Sequence, residues 1–280
     1  MIKLSRIYFR TPWKFENAAG RRRLSVLNKA RWMPFTKGPD DIMTETFNQM
    51  GYSVDILDPY TAYFLHKMRK PTQPVADLGC GFGIVTKHLL NAGATVIAND
   101  ISRAHLAEVE DSVPREQRSR LTIVHGDASQ LDFPANSLSG IMAGRWVHFL
   151  TSPEAYFDFF HRALRWLEPG GSLCVTVHTM KAWSPPEVCA AYEIKRASGM
   201  AWPGWVSREM KWEGLRDRLP DRGYAFRLEE LKGLVEEIGF HVEKCGLYGL
   251  RIPAHPPERQ VELAPNNTIG IVASKSISLT

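Results

Sequence analysis

The sequence predicts an α/β fold in which a mostly parallel sheet is covered on both faces by helices, and three observations support this. From about residue 75 to 180, short apolar runs alternate with amphipathic segments, as when strands are buried on both faces and helices on one. Gly79, Gly81 and Gly83 fall where the first apolar run gives way to a helical pattern, so a tight strand-to-helix turn is expected there. Pro169-Gly170-Gly171 closes an amphipathic segment and launches another apolar run.

Residues 1 to 50 mix basic and aromatic side chains with breakers at Pro12, Gly20, Pro34, Gly38 and Pro39, and are expected to form an extension ahead of a domain spanning 51–280. Ile56, Leu57, Tyr60, Phe64, Leu65 and Met68 recur at helical spacing and predict a helix from Ile56 to Met68. Val75 to Leu78 reads as the first strand, followed by a helix with Ile84, Val85, His88, Leu89 and Ala92 on one face. Thr95 to Asn99 is the expected second strand, and Ser102 caps a helix running through Glu110. Leu121 to His125 and Leu138 to Ala143 follow as the third and fourth strands. A helix from Pro153 to Leu167 buries Tyr156, Phe159, Phe160, Ala163, Leu164 and Leu167, and Ser172 to His178 is the fifth strand. Between Met180 and Phe226 the alternation stops; tryptophans and tyrosines interleave with lysines and arginines, and 180–226 is expected to form an inserted cap or lid. A helix from Leu228 to Ile238, stopped by Gly239, precedes strands at Phe240 to Leu247 and Thr268 to Ser274, separated by a connection containing Pro253, Pro256, Pro257 and Pro265.

Composition narrows the function. With 280 residues, 44% apolar and 23% charged, the chain has the make-up of a soluble globular protein, and no run approaches the roughly 20 apolar residues of a membrane span. The net charge of +5 and pI near 9.0 are too modest, with acids spread throughout, to predict a nucleic-acid partner. The basic N-terminal stretch, with Arg21, Arg22 and Arg23, is poor in serine and rich in bulky aromatics, which favours a basic arm over a transit peptide. No secretory signal is seen. Cys80, Cys174, Cys189 and Cys245 match neither a zinc spacing nor a disulfide framework, so reduced thiols, a cytoplasmic location and no metal are expected. A homodimer is left open.

The glycine turn suggests a nucleoside cofactor, because it lets backbone approach a ligand while amide N–H groups at the helix start stay free. Asp100, at the end of the second strand, stands where a carboxylate can accept from two ribose hydroxyls. A dinucleotide fingerprint would need its third glycine where Ile84 stands, and Asp77 would sit badly beside a pyrophosphate. A carboxylate at 77 suits a ligand with an ammonium group, as methionine-type cofactors have.

On these residues the chain resembles the class I S-adenosylmethionine-dependent methyltransferases, particularly their small-molecule branch. Asp77 to Gly83 matches that family's Asp-x-Gly-x-Gly-x-Gly motif, Asp100 its ribose acid, Gly126-Asp127-Ala128 its adenine-side acid, and Leu167-Glu168-Pro169-Gly170-Gly171 the turn before its fifth strand. The resemblance covers about 70 to 180 and 228 to 274. It implies a Rossmann-like seven-stranded sheet of order 3-2-1-4-5-7-6 with only the last strand antiparallel, S-adenosyl-L-methionine as cofactor and S-adenosyl-L-homocysteine as product. It further implies cofactor binding by Asp77, Gly79, Cys80, Gly81, Gly83, Asp100, Ile101, Asp127, Ala128, Gly144 and Arg145.

Methyl transfer from a sulfonium is an in-line displacement that alignment in a dry pocket can largely accelerate, so a base is optional. His148 and His178 are the candidates for proton transfer, at the carboxyl edge of the fourth and fifth strands, with structural histidines as the alternative. Arg145 could instead pair with a substrate anion. Tyr60, Trp146, Trp183, Trp202 and Trp205 are candidate substrate contacts; the alternatives are a core aromatic at Tyr60 and simple packing of the inserted segment by its tryptophans. The expected function is methylation of a small molecule, aromatic or acyl with anionic character. The competing expectations are an RNA or protein methyltransferase, for which the basic arm is the positive feature, and a non-catalytic binding module. The Asp/Asn-Pro-Pro-Tyr tetrapeptide of adenine amino-group methyltransferases is absent.

Overall fold

The computed structural model describes residues 8–9, 43–48, 52–54, 57–211, 220–249 and 266–277. Most of the 1–50 extension, Ile56, Trp212 and the Pro253-to-Pro265 connection lie outside these residues. Seven strands form one sheet: β1 (Val75–Leu78), β2 (Val96–Asp100), β3 (Leu121–His125), β4 (Leu138–Gly144), β5 (Leu167–His178), β6 (Phe240–Tyr248) and β7 (Thr268–Lys275). Their order is 3-2-1-4-5-7-6, and β7 runs antiparallel to both its neighbours, β5 and β6, while the other pairings are parallel. This is the order that the motifs implied.

Alternation along the strands divides the core into two layers. Val75, Val96, Met142, Cys174 and Val272 face α1 (Pro59–Lys67), α2 (Ile84–Asn91) and α3 (Arg103–Ser112). Ala76, Leu78, Ile97, Ile141, Val175 and Ile271 face α4 (Pro153–Trp166) and α7 (Leu228–Glu237). Between β5 and α7 come α5 (Met180–Trp183), α6 (Pro186–Ala197) and a small hairpin pairing Trp205–Ser207 with Arg222–Tyr224. These pieces share a minor core of Met180, Tyr192, Val206 and Ala225, with Phe149 packed against it.

Most boundaries fall within two residues of the expected ones, and the informative differences have physical causes. α1 begins at Pro59 rather than Ile56, because the Asp58 carboxylate accepts from the N–H groups of Tyr60 and Thr61, both at 2.9 Å, and Pro59 supplies a preset φ. α2 buries Thr86, Leu89 and Leu90, while His88 and Ala92 are exposed. Its Ile84 and Val85 are only half-buried, since both line a pocket, Val85 also packing against the core. α4 stops at Trp166, and Leu167 already belongs to β5. Leu138 pairs with Leu167 but Gly140 with Ser172, so Pro169-Gly170-Gly171 forms a bulge inside β5, with Gly170 at φ +79°, rather than a turn before it.

Tyr60 lies flat on the sheet. A Cβ at Gly270 would fall 2.1 Å from its ring and one at Gly246 would fall 2.4 Å from its hydroxyl, so the two strand glycines make room for a buried aromatic.

Candidate cofactor and active site

The carboxyl ends of β1, β2, β4 and β5 open together on one edge, which is where open α/β sheets bind ligands. The turn after β1 holds Gly79, Gly81 and Gly83 at φ of +69°, +54° and +69°, the left-handed region that L side chains resist. A Cβ at Gly79 would meet the Trp146 ring at 2.7 Å and one at Gly83 the Val109 side chain at 2.7 Å, whereas one at Gly81 would meet nothing within 4 Å. The turn is therefore packed on its flanks and open at its middle.

A pocket of about 510 Å³, counting its open mouth, lies against this turn. Of the predicted cofactor residues, Asp77, Gly79, Cys80, Gly144 and Arg145 line it, joined by Asp58, Thr61, Met142 and Thr176. Ser53 and Leu57, from the chain ahead of α1, complete the wall. The remaining candidates continue along the same edge towards β3. Asp100 accepts from Gly81 N at 2.9 Å, Ser102 N at 2.7 Å and His105 Nδ1 at 3.1 Å. Ile101 follows it, exposed. Asn99 donates to the Val124 and Gly126 carbonyls, both at 2.9 Å, and so holds the Gly126-Asp127-Ala128 loop beside the end of β2. Asp127 turns its carboxylate onto Ser129 N at 2.8 Å, and Ala128 is buried.

Burial dominates the electrostatics. Asp77 is almost fully buried; desolvation raises its carboxyl pKa to about 6, although Thr86 Oγ1 donates to it at 2.6 Å. An ammonium group on a ligand would restore the charged form. The Cys80 thiol is pushed well up, first by burial and then by Asp77 and Asp100, so it does not act as a nucleophile. This donor set fits S-adenosylmethionine: a buried carboxylate for its ammonium, an open glycine turn for its backbone contacts, and a second carboxylate for its ribose. Among the described residues it offers no cluster of cations for a polyphosphate.

His148 and His178 come together, with ring centroids 5.2 Å apart. His148 is buried and its pKa is pushed well below the usual imidazole range by burial, then by His178 and Arg145. His178 is half-buried and is pushed down to about 3 by burial and then by Arg145; its Nδ1 lies 3.4 Å from Thr268 Oγ1. Both rings are neutral at physiological pH. Arg145 sits at φ +57°, an uncommon conformation for a bulky residue, with its N–H bonded to Thr176 O at 2.8 Å. No carboxylate among the described residues forms an ion pair with it.

The tryptophans divide. Trp146 packs on Gly79 and on Phe159, and its indole N–H is buried without an acceptor among the described residues. Trp202 and Trp205 join Tyr156, Tyr224 and Phe226 in an aromatic cluster that fastens the inserted segment to α4, with Arg222 4.0 Å above Trp205. Neither lines the pocket, and Tyr60 does not either. Trp183 belongs to α5, and its side chain lies outside the described residues. No local signal marked Tyr248, whose hydroxyl neighbours Thr176 at the pocket wall. Asp58 and Thr61 could have been found, because Asp58-Pro59 is a helix-start signal that would have shown which side chains point at the sheet edge.

The strand order, with the left-handed glycine turn after its first strand, is that of the class I methyltransferase fold. Residues 75–171 match the family described as methyltransferase domain, so this stretch of the chain is similar to that domain. An uncharacterised methyltransferase of Synechocystis sp. is 32% identical over 114 residues, which are 40% of this chain and 51% of the relative, so the chain spans about half the length of that curated relative. Among solved structures, a methyltransferase of Methanosarcina mazei aligns with a TM-score of 0.56 at 17% identity, over 79% of this chain and 99% of its own. The 1,6-didemethyltoxoflavin-N1-methyltransferase of Burkholderia thailandensis, solved with bound 1,6-didemethyltoxoflavin and S-adenosylhomocysteine, aligns at 0.52 and 20%, over 78% of this chain and 77% of its own. At such identities these likenesses show the fold. No helix among the described residues is long and apolar enough to cross a membrane.

Proposed function

We propose that the chain methylates a small aromatic or acyl acceptor that carries an anionic group, and that Arg145 holds that anion. The observation behind this is a guanidinium at the pocket wall, in a left-handed backbone conformation, with no carboxylate paired to it among the described residues. A conformation of this kind costs of order 1–2 kcal/mol, which the surrounding structure must sustain. Bound in the pocket, the cofactor supplies an electrophilic methyl group. Asp77 and the glycine turn orient its amino-acid end, and Asp100 holds its ribose.

The histidines extend the proposal. Arg145 is one cause of the low basicity of His178 and His148. An anion seated on Arg145 would offset that charge and raise the basicity of both rings, so His178 would accept a proton best when the acceptor is in place. The inserted segment, packed on Phe149 next to His148, supports a role in excluding water from this side of the site. Four unbridged cysteines support a reducing, cytoplasmic setting.

The test is transfer of a labelled methyl group from the cofactor to a panel of aromatic and acyl acids, each paired with its neutral amide. Turnover confined to the acids supports the proposal, and equal turnover of the amides defeats it.

A further inference from the structure

Ahead of α1, Met43–Glu45 pairs antiparallel with Tyr52–Val54, and this hairpin reaches both ends of the cofactor site. Ser53 and Leu57 stand in the same pocket wall as Asp77 and Arg145. On the other side, Phe47 lies against the glycine turn and the ribose acid. Its ring stacks on His105 at 5.4 Å and meets Phe82 edge-on at 5.0 Å, and Phe82 meets His105 at 4.9 Å, a closed triangle of three rings. Phe82 is the residue between Gly81 and Gly83, so the triangle rests on the cofactor cradle itself.

His105 is 1% exposed, and its two ring nitrogens point to different elements. Phe47 N donates to Nε2 at 2.9 Å. A backbone N–H can only donate, so Nε2 must be the bare nitrogen, and the proton resides on Nδ1. Nδ1 then donates to Asp100 Oδ1 at 3.1 Å. The chain of contacts runs without a break from the backbone of the hairpin, through one neutral imidazole, to the carboxylate that faces the ribose. With Ser102 N on Oδ1 and Gly81 N on Oδ2, His105 fixes the orientation of that carboxylate from a third direction.

We infer that His105 is a positioning residue that couples the N-terminal hairpin to the ribose carboxylate, making residues 43–48 and 52–54 a strap whose packing on the site and cofactor occupancy stabilise each other. The inference rests on the cofactor assignment of this site. Coupling of this kind is reciprocal: the factor by which the packed strap tightens the cofactor is the factor by which the cofactor favours packing of the strap. Phe47 is 37% exposed and touches the cradle from outside, so its effect on cofactor affinity would pass through His105 and Phe82.

Chymotrypsin reports on the strap in the full chain, because Phe47, Tyr52 and Leu57 provide cleavable bonds there. Saturating S-adenosylhomocysteine should slow cleavage at these bonds in the wild type. His105→Phe keeps a ring of similar size but deletes both hydrogen bonds. It should still bind S-adenosylhomocysteine, roughly two- to tenfold more weakly, as for a lost hydrogen bond, and cleavage should become indifferent to the ligand. A merely structural role for His105 would lower the melting temperature and leave the ligand protection intact. Phe47→Ala, which keeps the backbone N–H to His105 and removes only a ring that is 37% exposed, should weaken S-adenosylhomocysteine by a similar factor while the Tyr52 bond loses its protection. Binding to the wild type without protection of the strap overturns the coupling alone, as does wild-type protection in His105→Phe. Absence of binding to the folded wild type overturns the coupling together with the cofactor assignment beneath it.

Discussion

Replacing Asp77 with Asn should make the ligand-free protein more stable while it weakens the cofactor. Asp77 is 3% exposed, and burial raises its carboxyl pKa from the ordinary 3.8 to about 6. The folded state therefore binds this proton more tightly than the unfolded chain does, so the associated stability is present below pH 3.8 and is lost as the pH rises through about 6. At 1.36 kcal/mol per pH unit, that window corresponds to about 3 kcal/mol of stability forgone by the wild type at neutral pH. Asparagine is isosteric and keeps a carbonyl oxygen for the Thr86 hydroxyl, now 2.6 Å away, but carries no charge to desolvate. Its melting temperature should exceed the wild type's by roughly 5–10 °C at pH 7.5. The advantage should shrink towards zero near pH 4. Over the same series S-adenosylhomocysteine affinity should fall at least about tenfold in the variant at pH 7.5, since the carboxylate partner of the ammonium is gone. Differential scanning calorimetry from pH 4 to 8, with and without ligand, measures both effects. A variant no more stable than the wild type at pH 7.5, or a stability gap flat with pH, would refute the assignment of Asp77 as a buried, costly carboxylate.

Other sites lend themselves to equally direct tests. Gly270→Ala places a methyl 2.1 Å from the Tyr60 ring and should cost about 1–3 kcal/mol in urea unfolding, with Tyr60 behaving as core. Gly83→Ala must adopt φ +69° and press on Val109, so it should lose roughly 1–3 kcal/mol of stability and weaken cofactor binding. Arg145→Gln should raise KM for the acceptor by about 10- to 100-fold through loss of a charge-assisted contact, leaving cofactor KM within about twofold in steady-state assays. A cofactor KM that rises instead would move Arg145 from the acceptor to the methionine carboxylate.

The strands were legible because burial on both faces writes them as continuous apolar runs bounded by glycine, proline and polar residues. Val75–Leu78 coincides with its expected limits for that reason, whereas Leu121–His125, an only partly buried edge strand, does so through the Arg120 and Gly126 that bound its apolar run. The helix faces were less legible: Ile84 is apolar yet lines a pocket, Val85 is shared between pocket and core, and a periodicity count cannot tell the two apart. The bulge at Pro169-Gly170-Gly171 looked like a turn, since the same residues serve both. The cofactor turn announced itself through local spacing, and Asp77 and Asp100 through their positions beside it. His105 did not, because its contact with Phe47 spans 58 residues and leaves no local trace. Trp202 and Trp205 attract notice in any sequence, yet here they spend their surface on Tyr156, Tyr224 and Phe226.

The central claim is that the edge formed by β1, β2 and β4 binds S-adenosylmethionine through Asp100 and the glycine turn. Isothermal titration of the full chain with S-adenosylhomocysteine, beside an Asp100→Ala variant whose fold is verified by circular dichroism, tests it most directly. A single site in the wild type, weakened in the variant by about 1–3 kcal/mol, or roughly 5- to 150-fold, is the predicted result. No binding to the folded wild type, or equal affinity in both proteins, would contradict it.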